Sequence, residues 1–301
     1  MPDYYWYLKG LCHLLPQYAG VVFSRNKVKL PEIKFYSDRQ TVDLIVNSGM
    51  SLTRFGDGEF AWMNGKRLES YQTLSDNFVR DLRAAFMSKD SNVIIGIPYG
   101  IFDSSHCNLR ARLWWRIIRE TTGRDTFPLL AVGKIYAKSN ITRPYIDYRD
   151  RKFSADAFAN LRRIWDGRDV CFVEGEQTRL GMGNNLFDNA KSIRRILCPA
   201  KDAYERLDEI QEAVCRNVSK DVLILAALGP TASILAVRLA RLGYQAVDIG
   251  HVDVEYIWFK NHSVLRDSIP GKYVNESGEK FTEDIYANDP VYRESIICEV
   301  L

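Results

Sequence analysis

Val222-Leu-Ile-Leu-Ala-Ala-Leu-Gly-Pro-Thr-Ala-Ser233 is the stretch that indicates the fold most clearly. Its first residues form an apolar run without alternation, as in a strand buried on both faces of a sheet. Gly229 and Pro230 interrupt the run, and the amphipathic pattern that follows over Ala232–Leu242 predicts a helix. A β-branched run at Ala246–Ile249 comes next, so the segment predicts a strand, a helix and a parallel strand.

The same alternation continues along the chain. The predicted strands are Ser51–Phe55, Val93–Ile97, Leu129–Val132, Val170–Val173, Ile193–Leu197, Val222–Ala226 and Ala246–Ile249. The predicted helices are Asp38–Asn47, Asp76–Met87, Leu109–Thr121, Ala155–Trp165, Tyr204–Asn217 and Ala232–Leu242, and Ser37, Ser75 and Ser154 are predicted caps. We therefore predict an α/β fold with a Rossmann-like, open, mainly parallel sheet and helices on both faces.

Composition and charge are those of a globular protein. The 301 residues are 46% hydrophobic and 26% charged, which excludes a disordered or fibrous chain. The net charge of +3 gives no reason to expect a nucleic-acid partner. The six cysteines are scattered without metal-ligand spacing, so we expect reduced thiols and a cytoplasmic location.

Both ends of the chain differ from the central domain, which is predicted over residues 36–267. Residues 1–35 contain no apolar run of the ~20 residues that a membrane span needs and no basic start of a signal peptide. We expect a helical segment docked on the domain or on a second copy in a homo-oligomer. Peripheral membrane association through its aromatic side chains is the alternative. Residues 268–301 are predicted to form a C-terminal tail or lid, with irregular structure from about Ser268 to Asn288.

The stretch Ser51–Glu59 predicts a metal and diphosphate site. A short strand ends there in Gly-Asp-Gly-Glu, and strand ends carry the ligands of open α/β sheets. Because Gly58 can adopt unusual backbone angles, Asp57 and Glu59 can converge on one hard cation. Arg54 can hold a phosphate with two parallel hydrogen bonds. The alternative is a plain β-turn with a solvated Glu59.

A second candidate anion site follows the strand at Val222–Ala226. Free amides after Gly229 and Pro230, together with the hydroxyls of Thr231 and Ser233, can bind an anion at the start of a helix. The segment lacks the lysine of a phosphate-binding P-loop and the three glycines of a dinucleotide-binding loop. A plain strand-to-helix turn is therefore the alternative.

Four titratable residues lie in or just after the strand at Ala246–Ile249: Asp248, His251, Asp253 and Glu255. Such a density at a strand end is typical of a catalytic site. A carboxylate or an imidazole can take a proton from an attacking hydroxyl. Asp253 and Glu255 are the candidate bases, and His251 is a candidate metal or phosphate contact. Taken singly, Asp248 as a helix cap and His251 as a buried core residue are the alternatives.

Two loops add candidate contacts. The glycine-punctuated loop 174–186 can close around a nucleotide or a sugar, and it carries Arg179, Gly183 and Asn184. The extended segment Asn140–Asp147 carries Arg143 and Tyr145, which suit phosphate contact and sugar stacking. A surface loop is the alternative for this second segment.

Taken in order, these motifs resemble the GT-D glycosyltransferases. They are RFGDGE (54–59), TRPYID (142–147), GEQTRLGMGNNLFDNAKSIRRILCPAKDAY (175–204), ALGPTASILA (227–236) and DIGHVDVEYIWF (248–259). The resemblance runs from about Tyr36 to about Asn261.

The resemblance implies a Rossmann-like fold and a nucleotide-sugar donor such as UDP-glucose. It also implies a divalent metal, Mn²⁺ or Mg²⁺, at Asp57 and Glu59, with Arg54, Phe55 and Gly56 beside the nucleotide. The implied acceptor is a glycan or glycoprotein in the assembly of a bacterial polysaccharide or glycoprotein glycan. A metal-dependent phosphotransferase or nucleotide hydrolase, or a non-catalytic nucleotide-sugar binding protein, would show much the same residues.

Overall fold

The computed structural model describes residues 3–24, 27–68, 72–274 and 284–301. The strands in these ranges are β1 (Lys34–Phe35), β2 (Ser51–Arg54), β3 (Val93–Ile97), β4 (Ile135–Lys138), β5 (Asp169–Gly175), β6 (Ser192–Cys198), β7 (Leu223–Ala227), β8 (Ala246–Asp248) and β9 (Ile296–Glu299). They form one sheet in the order β1-β4-β3-β2-β8-β7-β5-β6-β9. Each neighbouring pair is parallel, which confirms the predicted parallel sheet.

The helices are α1 (Asp3–Phe23), α2 (Asp38–Ser48), α3 (Asp57–Met63), α4 (Asp76–Phe86), α5 (Leu109–Ile118), α6 (Arg124–Thr126), α7 (Ser154–Arg162), α8 (Leu207–Asn217), α9 (Pro230–Arg241), α10 (Val252–Lys260) and α11 (Pro290–Ser295). Ser37 caps α2 in a capping box with Gln40, and Ser75 caps α4, as predicted. Ser154 is not a cap. It lies inside α7, and its hydroxyl donates to the carbonyl of Pro144 at 2.7 Å.

Side chains of the strands alternate between two hydrophobic cores, one on each face of the sheet. In β7, Ile224 and Ala226 belong to the core that α3, α4, α8 and α9 cover. Leu223 and Leu225 belong to the opposite core, which α2, α7 and α10 cover. Helices on both faces therefore bury apolar strands from two sides, which explains why the strand sequences show no polar alternation.

One predicted strand is wrong, and two edge strands were not predicted. The apolar run at Leu129–Val132 follows a 3₁₀ turn at Phe127–Leu129, and Val132 is 103% exposed. Gly133 then turns the chain with φ +78°, so the strand starts at Ile135 instead. The edge strands β1 and β9 are too short for a periodic pattern.

The two ends of the chain pack on the central domain. Helix α1 contacts α5 through Leu14, Leu113 and Ile117. Among the described residues, no helix combines the length and the apolarity needed to cross a bilayer. At the other end, α11 and β9 form the last part of the predicted tail or lid, and β9 pairs with β6 at the edge of the sheet. Residues 275–283 of the predicted irregular stretch lie outside the described residues.

The strand order creates a topological switch point between β2 and β8. The chain leaves β2 towards β3 on one side and leaves β8 towards β9 at the far edge of the other side. In open α/β sheets, the crevice at the carboxyl ends of two such strands is where ligands bind. The residues that follow β2 and β8 therefore form the candidate functional site.

Candidate active site

Arg54, the last residue of β2, is held by contacts within the protein. Its Nη2 lies 2.8 Å from Oδ1 of Asp248, and its Nε donates to the carbonyl of Asp248 at 2.8 Å. Nη1 donates to the carbonyl of Ser139, directly after β4, at 3.0 Å. The arginine thus joins the carboxyl ends of three strands. The guanidinium has five N–H groups, and only those outside these three contacts can bind a phosphate.

Gly250 lets the chain pass close to this ion pair. Its φ is +44°, in the left-handed region, and a Cβ there would lie 1.9 Å from Nη2 of Arg54. Only glycine fits this position without displacing the arginine. His251 follows at the N-cap of α10 and is partly exposed.

Asp57 and Glu59 occupy the first turn of α3, directly after β2. The N–H of Gly56 donates to Oε2 of Glu59 at 2.7 Å, which closes a capping box. Oδ2 of Asp57 accepts a hydrogen bond from Nε1 of Trp114 at 3.1 Å. Gly58 is helical, so the expected convergence through unusual glycine angles is wrong, and so is a β-turn with a solvated Glu59. A helical turn and the indole position the two carboxylates instead.

The electrostatics of the acidic pair are strongly perturbed. Burial raises the pKa of Asp57, and it raises the pKa of Glu59 to about 7. The negative charges of Asp248 and Asp57 contribute to the rise at Glu59. The positive charges of Arg143 and Arg266 act on Asp57 in the opposite direction. Two half-buried carboxylates therefore concentrate negative charge here, and two guanidinium groups are near them.

The acidic pair fits a cation that is shared with a substrate. Among the described residues, no group of three or more His, Cys, Asp or Glu is placed to hold a metal ion. Mg²⁺ bound together with phosphates commonly takes only one or two carboxylates from the protein. Asp57 and Glu59 each have one oxygen in a hydrogen bond and a second carboxylate oxygen besides. A cation bound here would compensate the negative charge of these two half-buried carboxylates.

Phe55 and the start of α9 belong to the core. Phe55 is fully buried, and its ring packs edge to face on Phe86 with centroids 5.0 Å apart. Pro230 and Thr231 are buried, and the N–H of Thr231 is taken by the carbonyl of Leu228 at 3.2 Å. Phe55, Pro230 and Thr231 therefore have packing roles here, and the contacts of Phe55 and of Gly229–Thr231 with a nucleotide sugar stay predictions.

Asp253, a predicted base, is an anchor for two loops. It is 2% exposed and forms a buried ion pair with Lys272. Its Oδ1 accepts from the N–H of Gly181 at 2.9 Å and from Nδ2 of Asn184 at 2.7 Å. A base must reach the proton that it takes, so the structure assigns Asp253 and Asn184 to holding the loop 176–187 in place.

The other two predicted contacts of this loop face the C-terminal segment. Arg179 pairs with Asp284, and its guanidinium lies 4.4 Å from the ring centroid of Tyr292. A Cβ at Gly183 would contact the hydroxyl of Tyr286. In this conformation the loop is closed by the protein's own side chains, so contacts of Arg179 and Gly183 with a nucleotide sugar stay a prediction.

Glu255, the other predicted base, fastens the segment Asn140–Asp147. It is 0% exposed, and its Oε2 accepts from the N–H groups of Tyr145 and Ile146 at 3.1 and 3.0 Å. Its Oε1 lies 3.4 Å from Nε of Arg143. Tyr145 is itself buried, which corrects the expected sugar stacking. Glu255 therefore acts as a positioning residue, and of the predicted catalytic residues His251 alone is partly exposed.

We expect Glu255 to make folding stability depend on pH. Burial raises its pKa to about 7 from the usual 4.5. Between these values the folded protein keeps a proton that the unfolded chain has released, so stability falls as the pH rises, by about 3 kcal/mol in total. Urea unfolding at about pH 5 and about pH 7.5 should show a smaller fall in Glu255→Gln than in the wild type. Equal falls would mean that Glu255 is ionised throughout.

Several residues of the site have no local signal in the sequence. Trp114 lies on an amphipathic helix, and Lys272 lies 19 residues beyond Asp253. Arg266 lies 119 residues from Asp147, with which it pairs at 2.6 Å. These three residues reach Asp57, Asp253 and Asp147 only through the topology of the fold.

The sequence is similar to known glycosyltransferases. The sequence model described as "Glycosyltransferase GT-D fold" matches residues 52–277. A probable glycosyl transferase Gly of Streptococcus gordonii is 34% identical over 271 residues, or 89% of this chain. The glycosyltransferase GlyD of Streptococcus pneumoniae is 32% identical over 264 residues, or 87% of this chain. The chain spans only 39% and 32% of the length of these two relatives.

Two solved structures share the fold. A new glycosyltransferase from Streptococcus sanguinis superposes with a TM-score of 0.83 at 31% identity, over 90% of this chain and 100% of its own. A domain described as having a distinct glycosyltransferase fold gives a TM-score of 0.83 at 30% identity, over 96% of this chain and 100% of its own. The family model matches residues 52–277, which is most of this chain, so the chain belongs to the GT-D glycosyltransferases.

Proposed function

We propose that this chain transfers a hexose, with glucose as the first candidate, from a UDP-sugar to a hydroxyl of a glycan. The acceptor that we propose is a bacterial polysaccharide or a glycoprotein glycan, met in the cytoplasm. The observation that supports the donor class is the half-buried pair Asp57 and Glu59 at the switch point, beside the ion pair of Arg54 and Asp248. Acidic side chains at this place suit a cation that faces a diphosphate.

The transfer forms a bond between the acceptor oxygen and the anomeric carbon, and it breaks the bond from that carbon to the diphosphate. A Mn²⁺ or Mg²⁺ ion held by Asp57 and Glu59 would neutralise charge on the departing diphosphate. Arg143 and Arg266 supply further positive charge close to Asp57. Gly250 and Arg54 keep the ends of β2 and β8 in register around this place.

The proton of the acceptor hydroxyl needs a base that has surface in the site. Asp253 and Glu255 are buried and bound, whereas His251 is partly exposed beside Gly250 at the end of β8. An imidazole is a common general base near neutral pH. We therefore assign the role of general base, which takes the proton of the acceptor hydroxyl, to His251. Asp253 and Glu255 have positioning roles.

Assays with UDP-glucose, UDP-galactose and UDP-N-acetylglucosamine test this function. We expect a glycosidic product with a saccharide acceptor, and its formation should stop with EDTA and return with Mn²⁺ or Mg²⁺. Release of UMP and a sugar 1-phosphate without a glycosidic product would indicate a nucleotide hydrolase, and release of UMP with the sugar phosphate attached to the acceptor would indicate a phosphotransferase. Binding of UDP without turnover over a broad acceptor panel would indicate a non-catalytic binding protein.

A further inference from the structure

A cavity of about 470 Å³ opens at the carboxyl ends of β3 and β4. Its walls include Tyr99, His106, Lys138, Tyr148, Phe153 and Asp38, and we call it the aromatic pocket. Its volume lies within the range of small-ligand sites, about 300 to 1,000 Å³. A second cavity, of about 530 Å³, lies at the amino ends of the strands, beside Val93 and Ile135. Ligands of open parallel sheets bind at the carboxyl ends of the strands, so the aromatic pocket is the better candidate for a ligand site.

The aromatic pocket adjoins the candidate active site. Lys138 is the last residue of β4, and Ser139, the next residue, accepts a hydrogen bond from Nη1 of Arg54 at 3.0 Å. In the sheet, β4 lies two strands from β2, a distance of about 10 Å. The segment that Glu255 fastens ends beside Tyr148. The same residues that organise the active site therefore also shape this pocket.

Partly exposed rings form one side of the pocket. The rings of Tyr99 and His106 are stacked, with centroids 5.7 Å apart and an interplanar angle of 27°. Tyr148 follows at 5.1 Å from His106, and Phe153 packs on Tyr148 at 4.6 Å. Phe153 is 37% exposed. Phe153 therefore presents exposed apolar ring surface, and the rings behind it carry polar atoms at their edges.

The pocket also offers charges of both signs. Nζ of Lys138 lies 4.6 Å from the ring centroid of Tyr99 and 3.8 Å from Oδ1 of Asp38. The side chain of Asp38 is 44% exposed, so its carboxylate can accept a hydrogen bond from a ligand hydroxyl.

We infer that the aromatic pocket binds a sugar ring of the acceptor glycan. Apolar ring faces beside a hydrogen-bond acceptor and an ammonium suit a saccharide, which has apolar C–H faces and many hydroxyls. The inference rests on the proposed function. Because the pocket is about 10 Å from β2, the acceptor should be longer than a monosaccharide.

Saccharide binding without nucleotide or metal tests this site. We would record saturation-transfer NMR of lactose, maltose and N,N′-diacetylchitobiose with the full chain. At least one should bind the wild type, and Phe153→Ala and His106→Ala should each weaken that binding about fivefold by removing an aromatic face. Phe153→Tyr, which keeps a ring, should bind as the wild type does. Phe23→Ala is the matched control, because Phe23 is 83% exposed on α1.

A parallel measurement separates this inference from the proposed function. The rise in melting temperature caused by UDP with Mn²⁺ should persist in Phe153→Ala and His106→Ala and be lost in Asp57→Asn. No binding of any of the three disaccharides, unchanged binding in both pocket variants, or loss of the UDP effect in those variants would overturn the acceptor site. If saccharides bind as expected but UDP has no effect on the wild type, the donor proposal fails and the acceptor site stands.

Discussion

Replacing Asp57 with Asn and Glu59 with Gln together should lower the rate of sugar transfer by about a thousandfold. The reason is that both changes remove charge from the place proposed to hold the cation, and they keep the shape of the first turn of α3. A glutamine at position 59 can still accept the hydrogen bond from the N–H of Gly56, as the capping box requires. Because burial raises the pKa of both carboxyls, the variant should be no less stable than the wild type at pH 7.5.

Product formation from a UDP-sugar, measured with thermal unfolding of the same samples, checks this result. Asp76→Asn is the matched control, since Asp76 occupies the same position in the first turn of α4 and is exposed. It should leave transfer unchanged. Wild-type transfer by the double variant in the presence of EDTA would rule out a metal role for the pair. Loss of transfer with unfolding would point to a structural role alone.

Asp253→Ala should have the largest effect on stability, about 3 to 5 kcal/mol, because it leaves a buried ammonium without its carboxylate. Asp253 and Lys272 are nearly inaccessible to solvent and paired with each other. Burial lowers the pKa of Lys272, and the charge of Asp253 opposes that shift. The change also removes the acceptor for Gly181 and Asn184. The melting temperature should fall by about 10 °C.

The double variant Asp253→Ala with Lys272→Met makes this prediction specific. Removing both charges should recover at least half of the lost stability, since the uncompensated ammonium is gone. Thermal unfolding and transfer assays on the three proteins provide the comparison. If Asp253→Ala unfolds like the wild type and yet loses all transfer, Asp253 is the base after all, and the positioning role is wrong.

The strands and most helices were predictable because their signals are local. An apolar run such as Val222–Ala226 must be buried wherever it lies, and β7 is found there within one residue. Gly133 shows the limit. The positive φ at this glycine turns the chain, so the strand begins at Ile135 rather than at the apolar run before it.

The candidate site was predictable in place but not in role. The stretches after β2 and β8 were identified, and the sheet does bring them together. Asp253 and Glu255 both lie on α10, and residues two positions apart point to different sides of a helix. Their roles therefore differ. One binds a loop at Gly181, and the other binds backbone amides 110 residues away. The spacing of residues in the sequence does not predict such distant hydrogen-bond partners.

The most direct test is the binding of Mn²⁺ in the presence of UDP, measured by electron paramagnetic resonance on the wild type and on Asp57→Asn. The account predicts that UDP strengthens Mn²⁺ binding to the wild type and that Asp57→Asn weakens it about a hundredfold. Equal Mn²⁺ affinity in the two proteins, with UDP present, would contradict a cation site at the carboxyl end of β2.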